Sequence, residues 1–395
     1  MSLWNREHNI DSSNLEKEIK ETKVRLCLDC GKCTVVCPVS QYSEEFNPRL
    51  IIQRRLNSPQ AETPLPQDET IWSCLNCQMC IERCNYQVKF PEFITALRTE
   101  AVKDGARVQC SHGGTLQSIM HMMARKGLQQ ERLDWLPDDI VLTEQSETRF
   151  FVGCAPYFDV IFEDIGVKTL DGVIAALRLL NNAQIPFNLL ADERCCGRDL
   201  LLQGDREGFT ALAKANAADF TRHGVKRIIT NCPECYSCLK TDYPKITGNN
   251  SIQVVSLVEV LAPLVKNKKI TAGSVSKKVT YHDPCTLGRG LRVFDEPRQL
   301  LAAAPGLQLV EMENNREKSL CCGANPWANC GTVNRQIQGQ RLDQAKAVGA
   351  EILVTACPKC QIHLKCAQKN ADGKSAQIEI RDLASLIEAT LTEQI

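Results

Sequence analysis

The sequence predicts a multidomain fold in which a helical N-terminal domain is followed by two pseudo-repeated α/β lobes, and three observations predict it. Residues 12–100 carry apolar residues at roughly helical spacing on charged segments, with few strand signals. From Arg149 onward, short β-branched runs alternate with amphipathic segments, the pattern of α/β construction. Within that part, Gly224-Val-Lys-Arg-Ile-Ile-Thr-Asn-Cys-Pro-Glu-Cys235 aligns without a gap on Gly349-Ala-Glu-Ile-Leu-Val-Thr-Ala-Cys-Pro-Lys-Cys360. Two copies about 125 residues apart imply two equivalent lobes rather than a solenoid, for which at least three copies are expected.

Taken in order, residues 1–105 form the helical domain. Leu15, Ile19 and Val24 make its first apolar stripe, Asn47-Pro48 is a helix start, and Phe93, Leu97 and Val102 form a stripe after Pro91. Residues 106–148 are a connector with a helix from Thr115 to about Gln130, in which Met120, Met122 and Met123 are packing residues, and then a polar stretch from Asp134 to Thr148. The lobes are 149–270 and 271–395. Their strand candidates are Arg149–Val152, Arg227–Thr230, Val279–His282 and Glu351–Thr355, and the stretch Ser251–Leu257 resembles Ser375–Leu383 as a further part of the repeat.

Lysine plus arginine equals aspartate plus glutamate, 47 each, so no global field points to nucleic acid or to an anionic membrane surface. Met1 to His8 lack the apolar stretch of a secretory signal, and no segment reaches the ~18 uninterrupted apolar residues of a spanning helix. The best apolar run, Val254 to Val265, contains Glu259. A cytoplasmic protein without direct membrane insertion is therefore expected. In that reducing compartment, 22 cysteines point to metal rather than to disulfides.

Cys27-Leu-Asp-Cys30-Gly-Lys-Cys33-Thr-Val-Val-Cys37-Pro38 has the C-x2-C-x2-C-x3-C-P spacing of bacterial ferredoxins, and Cys74-Leu-Asn-Cys77-Gln-Met-Cys80-Ile-Glu-Arg-Cys84 repeats it with Asn85 in place of the proline. Three closely spaced thiolates wrap three corners of one [4Fe–4S] cubane, while the fourth points away to the other cluster. That rule assigns Cys27, Cys30, Cys33 and Cys84 to one cubane and Cys74, Cys77, Cys80 and Cys37 to the other. Structural zinc also uses C-x2-C pairs, but its four-ligand sites leave the third and fourth offsets unexplained.

Each lobe carries five more cysteines in the same order: Cys154, Cys195-Cys196-Gly197 and Cys232-Pro-Glu-Cys235, then Cys285, Cys321-Cys322-Gly323 and Cys357-Pro-Lys-Cys360. An adjacent pair cannot easily serve two ordinary corners of one cubane, so bridging thiolates or an unusual cluster are implied. Cys154, Cys232, Cys285 and Cys357 each follow a strand candidate, and ligands of open α/β sheets collect outside the carboxyl ends of strands. Helices starting just after them would aim N–H groups at an anionic cluster.

This doubled pattern resembles the cysteine-rich CCG domain of heterodisulfide reductase, in its B-type or fused D-type subunit, and the first 105 residues are similar to the C-type subunit. The resemblance covers residues 20–390. It implies a helical two-cluster ferredoxin domain followed by two CCG lobes, each five-cysteine set holding a noncubane [4Fe–4S] cluster. It further implies that the ten CCG cysteines are catalytic, a disulfide being cleaved between the two clusters by single-electron steps. After the second CCG, where the family commonly continues with glycines, this chain has Ala324-Asn325-Pro326-Trp327. Bulk beside the cleft argues against the archaeal coenzyme heterodisulfide as substrate.

Cys110, Cys238, Cys330 and Cys366 fall outside both systems and read as structural, Cys238 and Cys330 being the closest in sequence to ligands. His282 is either a proton donor to a thiolate product or a structural strand-end histidine. Arg194, Arg198, Arg289 and Arg292 flank ligands and could offset cluster charge or bind a substrate anion. No glycine-rich phosphate loop follows a strand, so electrons must come from a partner, a flavin-containing A-type subunit or a similar donor within a redox complex. The alternative function is a relay in a flavin-based bifurcating complex whose terminal reaction, such as low-potential acyl-CoA reduction, lies elsewhere.

Overall fold

The computed structural model describes residues 12–57, 64–266, 276–324, 326–370 and 377–392; Met1 to His8, Asn325, Ser375 and the lobe boundary at residues 270/271 lie outside them. The N-terminal region is helical, with helices Ser12–Thr22, Pro48–Asn57 and Phe90–Lys103. Asn47 caps the second, its Oδ1 accepting from Leu50 N at 3.2 Å, and Pro48 takes the first helical position. The helix Phe90–Lys103 turns Phe93, Ile94, Leu97 and Ala101 into the core. Its Arg98 is fully buried and donates to the carbonyls of Ile71, Cys74 and Leu202 and to Asn76 Oδ1. One guanidinium thus ties the second cysteine motif to the α/β part of the chain.

The connector helix is Thr115–Met123, shorter than expected. It closes on itself through Ala124 N to Met120 O, and Gly127 then takes φ 72°, a left-handed turn that a helix cannot continue. Met120 and Met123 are core residues, but Met122 is 54% exposed and packs nothing away from water.

Two all-parallel sheets follow. β1 (Thr148–Phe150), β2 (Arg227–Thr230) and β3 (Gln253–Ser256) lie in the order β1-β2-β3; β4 (Lys277–His282), β5 (Leu307–Leu309), β6 (Ile352–Thr355) and β7 (Glu379–Asp382) lie in the order β5-β4-β6-β7. β1 stops short of Val152 because the amides of Val152 and Gly153 turn to the buried Glu193 carboxylate. β5 was not expected, since three residues give too little alternation to read. Its place in the first sheet is taken by a single bridge, Arg149 to Asn188.

The sheets share one core. Helix Thr169–Asn182 packs on Leu383–Thr392, and Leu257–Lys266 packs on Asp295–Ala303, so each sheet's helices lie against the other's. Leu177, Leu180, Ile228 and Ile229 of the first part meet Val279, Tyr281, Leu386 and Ile387 of the second in one buried cluster. This interlock brings the carboxyl ends of both sheets together.

Candidate functional site

The two N-terminal cysteine motifs adopt the same backbone. Asp29 and Gly31 in the first, and Asn76 and Gln78 in the second, have positive φ of 57°, 76°, 51° and 63°. Left-handed residues on both sides of the second cysteine curl the chain so that successive thiols face inward. One cavity of about 110 Å³ is lined by Cys27, Cys30, Cys33, Cys84 and Cys80; a second of about 20 Å³ is lined by Cys37, Cys74, Cys77 and Cys80. Cys84 thus lies beside the thiols of the first motif and Cys37 beside those of the second, while Cys80 borders both cavities.

In the α/β part, Cys154, Cys232, Cys285 and Cys357 stand just past the ends of β1, β2, β4 and β6. The first five thiols form a chain of contacts: Cys154 Sγ lies 3.2 Å from Cys195 Sγ, Cys195 meets Cys196, Cys196 meets Cys235, and Cys235 meets Cys232. The second set repeats it, Cys285 to Cys321, Cys322, Cys360 and Cys357. Gly323 has φ 72°, and a Cβ there would come 2.8 Å from Asn334 O, so the third letter of CCG is required by its left-handed backbone and by the close approach of helix Thr332–Ala347. Gly153 was not singled out from sequence, yet a Cβ there would lie 2.9 Å from Cys235 Sγ; its signal is a glycine directly before Cys154.

Burial pushes the thiols of Cys74 and Cys37 up to about 12 and about 11. Cys77 moves the other way, to about 6, chiefly through a hydrogen bond with the Cys321 thiol, aided by the buried Arg289 guanidinium. Crowded buried thiols cannot ionise together in a low-dielectric site unless a cation neutralises them. Soft iron does so, and the donor chemistry fits iron–sulfur clusters in all four places.

Between the two five-thiol sets lies a network of which the sequence singles out only Arg198. Lys359 Nζ is 2.6 Å from Asp199 Oδ1, Arg198 contacts Glu234 at 2.7 Å and Asp242 at 2.8 Å, and Thr286 Oγ1 donates to Glu234 Oε1 at 2.6 Å. Glu234 and Lys359 are the variable residues of the two C-P-x-C motifs, and their opposite charges at aligned positions were the available signal. Burial opposes the Lys359 charge, but Asp199 and Glu234 outweigh it and hold its pKa above the usual lysine range. The remaining space, about 30 Å³, is lined by Cys154, Cys195, Cys196, Cys232, Cys235 and Lys359 among others.

Trp327 does not line an open cleft. Its ring is 1% exposed, stacks on His363 at 5.0 Å and Phe162 at 5.6 Å, and lies under the Lys359 ammonium at 5.2 Å. Its carbonyl accepts from Ser111 N and Gln117 Nε2, which seats the connector on the α/β part. His282 is completely buried, its Nδ1 accepting from Arg341 Nε at 2.9 Å. The four arginines are all engaged: Arg194 with the carbonyls of Met123 and Arg125, Arg198 in the network above, Arg289 with the carbonyls of Cys77 and Ser319, and Arg292 with Glu82. Cys238 sits against Cys196 and donates to its carbonyl at 3.3 Å; Cys330 and Cys366 meet each other, and Cys110 is exposed.

Two adjoining thiol-lined cavities beside two five-thiol sets on parallel sheets define an iron–sulfur electron-transfer protein. The 4Fe-4S dicluster domain family matches residues 23–88, and the cysteine-rich CCG domain matches residues 149–240 and 279–365. The chain is an iron–sulfur oxidoreductase subunit related to heterodisulfide reductase, and its dicluster and cysteine-rich CCG domains fit cubane and noncubane [4Fe–4S] clusters as its cofactors. It is 29% identical to the D-type subunit of the dihydromethanophenazine:CoB–CoM heterodisulfide reductase of Methanosarcina mazei, over 97% of both chains. It is 28% identical to the EtfAB:quinone oxidoreductase of Syntrophomonas wolfei, over 91% of this chain and 57% of that protein. The B-type subunit of the fumarate reductase (CoM/CoB) of Methanothermobacter marburgensis is also 28% identical, over 87% and 68%. Among solved structures, a putative Asp/Glu racemase from Yersinia pestis aligns with a TM-score of 0.27 at 14% identity, over 63% of this chain and 99% of that one. No described helix is long and apolar enough to cross a membrane.

Proposed function

We propose that this chain is the cluster-bearing subunit of a heterodisulfide-reductase-like complex that delivers electrons to a low-molecular-weight disulfide. Its parts are a ferredoxin domain (1–105), a connector (106–148) and two pseudo-equivalent CCG lobes (149–270 and 271–395). Cys27, Cys30, Cys33 and Cys84 hold one cubane, and Cys37, Cys74, Cys77 and Cys80 the other. The set of Cys154, Cys195, Cys196, Cys232 and Cys235 and the set of Cys285, Cys321, Cys322, Cys357 and Cys360 hold one noncubane cluster each. When bound, the clusters supply one-electron transfer.

The observation that carries the reading is the thiol contact of Cys77 with Cys321, which abuts the second ferredoxin-type site on the second CCG set. Arg289 clamps that junction by donating to Cys77 O at 2.7 Å and Ser319 O at 2.6 Å. Glu234 and Lys359 then occupy the boundary between the CCG sets. A disulfide takes up two electrons and two protons there to give two thiols. The electrons come from a partner, a flavin subunit being the expected donor, as several similar proteins are named as subunits of reductases.

A second reading, a closed relay within a bifurcating complex, is favoured by the buried Lys359–Asp199 pair and by Trp327, which fill the region a substrate would need. Anaerobic oxidation of reduced viologen by a panel of small disulfides tests the choice. Turnover that is lost in Lys359→Met, with clusters intact, supports the reductase. No turnover, with cluster-to-cluster transfer intact, supports the relay.

A further inference from the structure

We infer that His282 is a fixed N–H donor to the cysteine sulfur of the second CCG set, so that the two noncubane centres are redox-inequivalent by construction. The inference rests on the reading of that set as a cluster site. The His282 ring and the sulfurs of Cys322 and Cys360 lie within 4.8 Å of one another, all three residues buried. Arg341 Nε donates to His282 Nδ1 at 2.9 Å. A guanidinium nitrogen can only donate, so Nδ1 carries no proton and the imidazole proton must sit on Nε2. Nε2 is buried and makes no hydrogen bond of its own in this structure, and the Cys322 thiol beside the ring is the acceptor it is placed to meet.

That tautomer decides the role. A histidine ligating iron would need a bare nitrogen toward the metal and a donated proton behind it. His282 has the reverse arrangement, a bare nitrogen behind and an N–H in front, and therefore hydrogen-bonds thiolate instead of binding iron. Arg341 is itself locked by donating to Asn314 O at 2.8 Å and Ser319 Oγ at 3.0 Å, so the tautomer is held from outside.

Among the described residues the first set has no histidine in that place, and its sulfur acceptor Cys195 Sγ takes the backbone N–H of Gly197, at 3.4 Å. Three residues before Cys154, where His282 precedes Cys285, stands Phe151, fully buried. Hydrogen bonds to cluster sulfur stabilise the more negative, reduced state and raise the potential. The second centre, the one in contact with Cys77, is therefore the more easily reduced of the two, and His282 is a positioning residue that sets this order.

The test is an EPR-monitored redox titration of anaerobic full-length protein, wild type against His282→Phe, which copies the first set, and His282→Gln, which keeps an N–H. With iron and sulfide unchanged, His282→Phe is expected to shift one CCG centre to a more negative midpoint and leave the other in place, and His282→Gln to return it most of the way. An unmoved midpoint at full iron content overturns the inference. Should His282→Phe lose the centre outright, His282→Gln decides: full iron and a near-wild-type midpoint support the donor, and loss there too overturns it. Strong nitrogen coupling diagnostic of direct iron ligation in 15N-histidine-labelled wild type also overturns it. A wild type that binds only about eight irons refutes the underlying cluster reading instead, before any variant is made.

Discussion

The thiol of Cys77, in the second ferredoxin-type motif, lies against the thiol of Cys321, in the second CCG pair. Residues more than two hundred positions apart thus join the two kinds of cysteine site, and Arg289 holds them by donating to Cys77 O. The asymmetry is informative. The second CCG set touches the N-terminal region, while the first meets the second across Lys359, Asp199 and Glu234.

Protein prepared anaerobically should contain about sixteen irons and as much acid-labile sulfide, four per site at four sites. Reconstitution that stops at about eight, with both CCG sets empty, contradicts the noncubane assignment.

Cys33→Ser with Cys80→Ser should damage the ferredoxin-type sites, because a hydroxyl is a poor ligand where soft thiolate is preferred. Electron uptake from a partner should fail while the CCG signals persist in low-temperature EPR. Loss of the CCG signals alone would reverse the proposed order.

Trp327→Ala should cost about 3–5 kcal/mol, the usual range for emptying a buried aromatic site, read as a lower denaturation midpoint. Leu116, Phe158, Phe162 and Ile362 line the hole it would leave, and they come from the connector and from the helices that follow β1 and β6. A midpoint within error of wild type would mean that the ring is not the plug its burial indicates.

Lys359→Met strands Asp199 in a buried site, a defect of about 3–5 kcal/mol for removing one partner of a buried pair. Lys359→Met with Asp199→Asn should recover much of that loss. Equal destabilisation in the single and double variants would show that the charge pairing is not the cause.

Burial raises Asp382 from 3.8 to about 6, although its carboxylate accepts from Ala384 N and Ser385 N. The folded state therefore binds this proton more tightly than the unfolded chain, so stability declines as pH rises from about 4 to about 6 and is flat beyond. Thermal unfolding of anaerobic protein between pH 5 and 7 should show a shallower slope for Asp382→Asn than for wild type. Identical slopes would remove Asp382 as the group responsible.

The sequence by itself determined most of what is local. C-x2-C-x2-C spacing forces a tight loop with thiols on its inner side, which both motifs adopt, and Asn47 and Pro48 start their helix as read. β2 and β6 fell where the aligned repeat put them, because strand, turn and cysteine are set within a dozen residues. The connector helix was read too long and β5 was not read at all, since a left-handed Gly127 and a three-residue edge strand leave little periodic trace. Only the tertiary structure decided which site touches which. Cys77 against Cys321, Lys359 against Asp199, and Trp327 against His363 are contacts between separately folded elements, fixed by how two sheets interdigitate their helices over one core. The same holds for His282: its residue type was visible, but the proton on Nε2 follows from Arg341, a neighbour 59 positions away that only packing supplies.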